Sequence, residues 1–226
     1  MNPMTSTPPP APVQTRESTP PDASSIKPDR SRSVQPVLEK LFELYPHLFG
    51  AKFLPLKLGV FQELLANHPE CFERISLKAA LGMHTRSTRY LQSVAAGEKR
   101  HDLQGIAVED VSPEHVYLAL LELFRRRQAR AREDLRPKFR AQLSQAFETS
   151  GLTRHEYLAR VQSNDLEATA LLEEALAEHH EAAARQDALL RAFESSGKTA
   201  DEFADMYGMD IRAVTAALQR RPRQAG

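Results

Sequence analysis

Four cations surround one tyrosine within a short stretch of this sequence: Arg86, Arg89, Lys99 and Arg100 around Tyr90. Thr85 and Ser87 precede the tyrosine, where either hydroxyl can cap the N-terminus of a helix. Such an N-terminus presents free backbone N–H groups and partial positive charge, which suit a phosphate. The stretch therefore predicts a site for a nucleic-acid backbone with an accessible end or a single-stranded segment. The alternative is that Tyr90 lies in the core and the arginines form an ordinary solvated surface.

A second group of cations follows in the run RRRQARAR, and its members are Arg125, Arg126, Arg127, Arg130 and Arg132. This run continues a long helix that opens at Ser112 and Pro113 and has an apolar face. The arginines can make accessory contacts that extend a nucleic-acid footprint. They can equally belong to a solvated linker helix, and the residues alone leave both interpretations open.

No pattern in the sequence predicts catalysis. It contains no glycine-rich phosphate loop, no nucleophile elbow and no spacing typical of metal ligands. His179 and His180 are adjacent and would point to different faces of a helix, and Cys71 beside Phe72 predicts a buried, unreactive thiol. We therefore expect a protein that is not an enzyme and that requires no metal or cofactor.

The composition predicts a globular protein with one or two domains. The 226 residues include 30 basic and 30 acidic side chains and a single cysteine, and no apolar run approaches the length of a membrane span. Residues 1–34 are rich in Pro, Ser and Thr, contain no apolar core of a secretory signal, and predict a disordered tail. These features together favour a cytoplasmic location.

Beyond the tail, the patterns predict helices that are interrupted by one small β-hairpin. An apolar stripe with helical spacing begins near Gln35 and ends before Pro46, and shorter helices are expected near residues 58–67 and 77–83. The segment KRHDLQGIAVED alternates around Gln104 and Gly105, which predicts the hairpin.

The C-terminal third contains an internal repeat. LSQAFETSGLTRHEY and LLRAFESSGKTADEF align with their shared residues 46 positions apart, and Asp165 and Asp210 can each cap a third helix, 45 positions apart. Each copy reads as a helix, a glycine C-cap and a Thr-x-x-Glu capping box that opens the next helix. Whether one helix or a helical hairpin joins the copies is left open by the sequence.

Two stretches resemble the hallmark segments of the ProQ/FinO family of bacterial RNA chaperones. They are PLKLGVFQELL, which starts at Pro55, and AALGMHTRSTRYLQSVAAGEKRHDLQG, which starts at Ala79, and LYPHLF before them also fits. The similarity extends over residues 34–127. Thr88 stands where the family commonly has an aromatic residue, and Gly82 and His84 replace larger or aromatic ones.

The resemblance implies a helical domain whose basic concave face binds the base of an RNA hairpin and its single-stranded 3′ tail, as in intrinsic terminators. By position in the motifs, and with the neighbouring cations, the RNA-binding residues would be Lys57, Lys78, Thr85, Arg86, Ser87, Arg89, Tyr90, Lys99 and Arg100. The implied partners are small RNAs and mRNA 3′ ends. The implied activity is to stabilise small RNAs and to promote RNA–RNA pairing in post-transcriptional regulation.

The expected architecture is mainly α and consists of four parts. They are a tail at 1–34, a ProQ/FinO-like domain with a small β-hairpin at 35–127, a basic linker helix at 128–140, and two duplicated helical units at 141–226. The last unit also resembles a helix-turn-helix in which Arg212, Thr215 and Gln219 would read nucleic acid and Arg220 and Arg221 would contact phosphates. A DNA-binding regulator and a protein-interaction adaptor are therefore the alternative functions.

Overall fold

The computed structural model of the chain describes residues 30–219, with side chains from Val34 onward. This range is mainly helical with one small antiparallel sheet, which confirms the predicted fold class. The elements are α1 (Arg30–Leu44), α2 (Pro46–Phe49), α3 (Val60–Asn67), α4 (Arg74–Thr85), α5 (Thr88–Ala95), β1 (Arg100–His101), β2 (Ala107–Glu109), α6 (Pro113–Gln128), α7 (Arg136–Ser150), α8 (Arg154–Arg160), α9 (Leu166–Ser196), α10 (Ala200–Tyr207) and α11 (Ile211–Gln219).

The first helix begins earlier than the sequence pattern predicts. Residues 1–29 of the expected tail lie outside the described range, but residues 30–34 belong to α1. Val34 is buried and lies one helical turn before Leu38 and two before Leu41, so it extends the same apolar stripe. The expected boundary at residue 34 was therefore placed about one turn too late.

The first core is enclosed by α1–α5 and the hairpin, and Leu41, Leu64 and Leu77 are fully buried in it. The predicted hairpin is confirmed, with β1 and β2 paired antiparallel. Its turn is closed by Asp102, whose carboxylate accepts hydrogen bonds from the backbone N–H groups of Gln104 and Ile106.

The predicted linker helix at 128–140 is wrong. The long helix α6 ends at Gln128, and a turn separates it from α7. The Gln128 amide closes this turn, because it donates to the carbonyl of Glu133 and accepts from the N–H of Leu135. Pro137 lies in the first turn of α7, where its missing N–H has no cost, whereas in the interior of a continuous helix it would break the backbone hydrogen bonding.

Helix α6 contributes to two cores rather than ending one domain. Ala119 belongs to the first core. Tyr117 and Leu121 belong to a second core, which they share with residues of α7, α8 and α9 such as Phe139 and Tyr157. The C-terminal region is therefore packed directly against the helix that completes the first domain.

The predicted repeat is confirmed, and α9 joins the copies as one continuous helix. Each copy has a complete capping box, Thr153 with Glu156 and Thr199 with Glu202. The helix before each box ends at a glycine in the left-handed conformation, a geometry that L side chains rarely adopt. The start of α9 forms the third helix of the first copy, and its end forms the first helix of the second copy.

Three other features of the described range bear on function. No helix within residues 30–219 is long and apolar enough to cross a membrane. No group of three or more His, Cys, Asp or Glu side chains in that range is placed to hold a metal ion. Cys71 is exposed, contrary to the sequence prediction, because the neighbouring Phe72 is the residue that enters the core.

Candidate nucleic-acid interface

The backbone of Leu56 is the point at which the two family-like stretches meet. Residues 55–57 run parallel to β1, with the Lys57 N–H donating to the carbonyl of His101 at 2.8 Å. The hydroxyl of Tyr90 accepts a hydrogen bond from the Leu56 N–H at 3.0 Å, and Arg100 Nη1 donates to the Leu56 carbonyl at 2.9 Å. Tyr90 and Arg100 therefore hold residues 55–57, the PLK segment, between α5 and β1.

Tyr90 and Arg100 are buried, with exposed fractions of 7% and 8%. Burial raises the pKa of the Tyr90 hydroxyl, although its bond from Leu56 and the nearby Arg100 guanidinium act in the opposite direction. Arg100 also lies 3.2 Å from His115 Nδ1 and 3.8 Å from a carboxylate oxygen of Glu109. Both side chains are therefore placed to support the fold of the site rather than to present a ring or a free cation.

Two other predicted contacts, Lys57 and Lys99, are cations with acidic partners. The ammonium of Lys57 donates to the carboxylate of Glu63, and this hydrogen bond raises the pKa of Lys57. Lys99 lies 3.5 Å from Asp110. A phosphate at either position would compete with a carboxylate already present.

The two predicted capping hydroxyls have different roles. Ser87 is the N-cap of α5, and its Oγ accepts a hydrogen bond from the Tyr90 N–H at 3.2 Å. Thr85 instead donates to the carbonyl of Leu81 at 2.9 Å in the last turn of α4. The N-terminus of α5 is thus built by Ser87, and the N–H groups of Thr88 and Arg89 at its start have no partner within the helix.

Three cations without an acidic partner among the described residues lie along α4 and at its C-terminal end. Arg74, Lys78 and Arg86 are exposed, and none of them forms an ion pair within the described residues. Their spacing of four residues, with Gly82 between Lys78 and Arg86, places them on one face of the helix. The guanidinium of Arg86 lies over Gly82, because a Cβ there would meet Arg86 Nη2 at 3.2 Å.

Arg89 extends this surface onto α5, where its guanidinium lies 5.2 Å from the centre of the Phe53 ring. We define the α4–α5 surface as Arg74, Lys78, Arg86 and Arg89. Arg74 was not among the residues singled out from the sequence. The signal that would have identified it is its position four residues before Lys78 and twelve before Arg86, along a helix that contains no acidic residue.

The arginines at the end of α6 separate into paired and unpaired groups. Arg125 forms an ion pair with Asp165. Arg126 pairs with Glu122 and donates from Nη1 to the carbonyl of Arg86 at 2.9 Å, so it ties α6 to the α4–α5 turn. In the same run, Arg127, Arg130 and Arg132 are exposed and have no acidic partner among the described residues.

We expect Arg126→Met to lower the free energy of unfolding by about 1–2 kcal/mol, because it removes hydrogen bonds from a charged donor to Arg86 and Glu122. Chemical denaturation of the full chain measures this change. Arg127→Met is the matched control, since Arg127 is exposed and has no acidic partner in the described range. Equal losses in the two variants would show that the Arg126 bonds do not stabilise the turn.

His84 lies behind the α4–α5 turn in an aromatic cluster. Its ring centre is 4.4 Å from that of Phe53, 4.7 Å from that of Phe49 and 5.3 Å from that of Tyr90. Its Nε2 is buried and has no hydrogen-bond partner within residues 30–219. Burial lowers the pKa of His84 from 6.5 to about 4, so the ring is neutral in the folded protein at neutral pH.

We expect acid to destabilise the fold through His84. Below pH 6.5 the unfolded chain binds a proton at this residue, whereas the folded chain binds it only near pH 4, so stability falls as the pH falls between these values. Lowering the pH from about 7.5 to about 5 should cost about 2 kcal/mol. Urea titrations at the two pH values measure this difference. His84→Phe should remove most of it, and an unchanged pH dependence in that variant would contradict the assignment.

The segments that meet at this site lie in a region of the chain that is similar to known proteins. Residues 31–136 match the model of the ProQ/FINO family. The protein named RNA chaperone ProQ from Shewanella frigidimarina is 37% identical to this chain over 100 residues, which are 42% of this chain and 49% of that protein. The protein of the same name from Idiomarina loihiensis is 37% identical over 94 residues, which are 39% of this chain and 45% of that protein.

A solved structure from Neisseria meningitidis, described as a FinO-like RNA chaperone, is 29% identical, with 39% of this chain and 92% of that chain covered and a TM-score of 0.36. The present chain spans less than half the length of the two curated relatives. The family match, by contrast, covers α1 except its first residue, all of α2–α6 and every residue of the α4–α5 surface. Residues 31–136 of this chain are therefore similar to the ProQ/FINO family, and this similarity covers slightly less than half of the chain.

Proposed function

We propose that this protein binds RNA through the α4–α5 surface and acts as an RNA chaperone. The observation that carries the proposal is that the cations of this surface have no acidic partner within the described residues, unlike Lys57, Lys99 and Arg100. Contacts between cations and phosphates supply much of the affinity of a protein for a nucleic acid. The name RNA chaperone, carried by the curated relatives, supports RNA as the polyanion.

The proposed RNA is a hairpin with a single-stranded 3′ tail, as in an intrinsic terminator. Arg74 and Arg86 are separated by about 18 Å along the helix, which suits several successive phosphates of a stem. The N–H groups at the start of α5 suit a phosphate of the tail. In this proposal Tyr90 and Arg100 position α5 and the PLK segment without contacting the RNA themselves.

The proposed consequence is post-transcriptional regulation without a catalytic step or a cofactor. A protein that holds the 3′ tail shields the end of the RNA, which stabilises small RNAs and mRNA 3′ ends. A protein that holds a stem by its backbone leaves the bases of other segments free to pair. Arg127, Arg130 and Arg132 would extend the contact to phosphates beyond the stem.

The test is a binding titration of the full chain against a terminator hairpin with and without its 3′ uridine tail, at several salt concentrations. We expect binding that requires the tail and that weakens steeply with salt, because phosphate contacts release counterions. Binding that is indifferent to the tail would refute the recognition of a 3′ end. Equal affinity for a DNA hairpin of the same sequence would refute selectivity for RNA.

The C-terminal helix-turn-helix geometry favours a protein partner over DNA. Helices α10 and α11 are joined at Gly208 and share Phe203 and Val214 in a small core. Of the predicted nucleic-acid readers, Arg212, Thr215 and Gln219 are exposed, while Arg220 and Arg221 lie outside the described residues. The exposed carboxylates of this unit are Asp201, Glu202, Asp205 and Asp210, and they would repel a phosphate backbone.

A further inference from the structure

The two C-terminal units have equivalent cores, so they can be compared position by position. We define the first unit as residues 143–176 and the second unit as residues 189–219. In the first unit the ring centres of Phe147 and Tyr157 are 5.3 Å apart, and the two ring planes make an angle of 78°. In the second unit the ring centres of Phe193 and Phe203 are 5.4 Å apart, and the angle between the planes is 80°. The two units therefore pack an equivalent pair of aromatic rings, and surface positions related by the repeat can be compared.

The first unit is covered by α6. Tyr117 and Leu121 of α6 lie in the core of that unit, together with Val161, which has an exposed fraction of 4%. Arg125 follows Leu121 by one helical turn and pairs with Asp165, the N-cap of α9. The occupant of this surface is thus an amphipathic helix that has an apolar stripe and an arginine one turn beyond it.

The corresponding surface of the second unit is open. Tyr207 stands 46 positions after Val161 but has an exposed fraction of 56%, and the neighbouring Met206 and Ile211 are also exposed. No helix within residues 30–219 covers the second unit as α6 covers the first, because only α9, α10 and α11 contribute to its core. The second unit therefore has an apolar surface with no intramolecular occupant in the described range.

The aspartates at the two surfaces show the charge that an occupant would carry. Asp165 accepts from the Ala168 N–H through Oδ1 and pairs with Arg125 through Oδ2. Asp210 accepts from the Arg212 N–H through Oδ1, whereas its Oδ2 has no partner among the described residues. The second unit therefore has the acidic half of the ion pair that α6 completes in the first unit.

We propose that the second unit docks an amphipathic helix of a protein partner, with a Leu- and aromatic-rich stripe and an arginine one turn beyond it. The carboxylates around the surface favour a basic helix and oppose pairing with the same acidic face of a second copy of this chain. Beside the first unit, Phe139 stacks on Phe124 of α6. The matching residue beside the second unit, 46 positions later, is Arg185, and a guanidinium can also pack against an aromatic ring of a docked helix. This inference is independent of RNA binding.

A fluorescein-labelled peptide of residues 112–132, which spans α6, is the probe for the full chain in a fluorescence anisotropy titration. We expect saturable binding, weakened about tenfold or more by Tyr207→Glu, which places a charge in the apolar surface. Asp210→Asn keeps a capping side chain and removes the charge, and should weaken binding about threefold. Leu166→Glu is the matched control, because Leu166 is exposed at the position in the first unit that corresponds to Ile211, and it should leave binding unchanged.

Three outcomes would overturn the proposal. One is the absence of peptide binding to the unmodified chain. Another is binding that persists in both Tyr207→Glu and Asp210→Asn, which would place the peptide elsewhere or in exchange with α6. The third is self-association in sedimentation experiments that is abolished by Tyr207→Glu, which would identify a second copy as the occupant. Circular dichroism of each variant establishes that α10 and α11 remain folded.

Discussion

Replacing Arg74, Lys78 and Arg86 together by Gln should weaken binding of a terminator hairpin by roughly 100-fold at about 0.15 M salt. Each cation that neutralises one phosphate contributes about a factor of five under these conditions, through the release of counterions. The slope of log affinity against log salt should become shallower by about two to three for the same reason. Filter binding or anisotropy over a series of salt concentrations measures both quantities.

The control for this variant is a second triple replacement, Lys40→Gln, Arg136→Gln and Arg185→Gln. It removes the same total charge, but from side chains that already have acidic partners. We expect it to change hairpin affinity by less than about threefold. A similar loss in both triple variants would mean that overall charge, and not the α4–α5 surface, determines binding.

Arg100→Met should lower the free energy of unfolding by about 2–4 kcal/mol. The replacement leaves the buried carbonyl of Leu56 without its donor and leaves the Glu109 carboxylate without its nearby cation. We expect a corresponding fall in RNA affinity only under conditions where the variant has begun to unfold. Denaturant titration, followed by RNA binding well below the transition, separates the two effects.

Arg89→Met is the comparison for Arg100→Met. Arg89 is an exposed cation in the same family-like stretch, and it contacts the ring of Phe53 rather than a buried carbonyl. The Arg89→Met substitution should reduce RNA affinity and leave the free energy of unfolding nearly unchanged. If Arg100→Met weakened RNA binding while leaving stability intact, Arg100 would be a direct contact, and its assignment as a supporting residue would be wrong.

The position of α6 determines how the ProQ/FINO-like region can be studied. Truncation after residue 135 would remove α7, α8 and α9, and it would expose Tyr117 and Leu121, which are buried against them. Exposure of apolar side chains of this size costs stability and promotes association. Binding experiments are therefore designed with the full chain, although the family match ends at residue 136.

The sequence by itself determined the features that depend on neighbours along the chain. The Ser87 cap, the turn at Gly105 and the two Thr-x-x-Glu capping boxes all depend on residues within about four positions, and periodicity indicates helices for the same reason. The repeat was visible because both copies use the same local signals. The sequence also predicted the part of α4 near residues 77–83, but that prediction did not include Arg74, which lies one helical turn before Lys78.

Only the tertiary structure decided which cations are available to a ligand. Tyr90 and Arg100 are buried because they bond to Leu56, which is 34 and 44 positions away in the sequence. Ion pairs such as Arg125 with Asp165 likewise join distant segments, and they distinguish paired arginines from free ones of identical type. Composition and spacing record the charge of a side chain, whereas its burial and its partners depend on chain segments that only folding brings together.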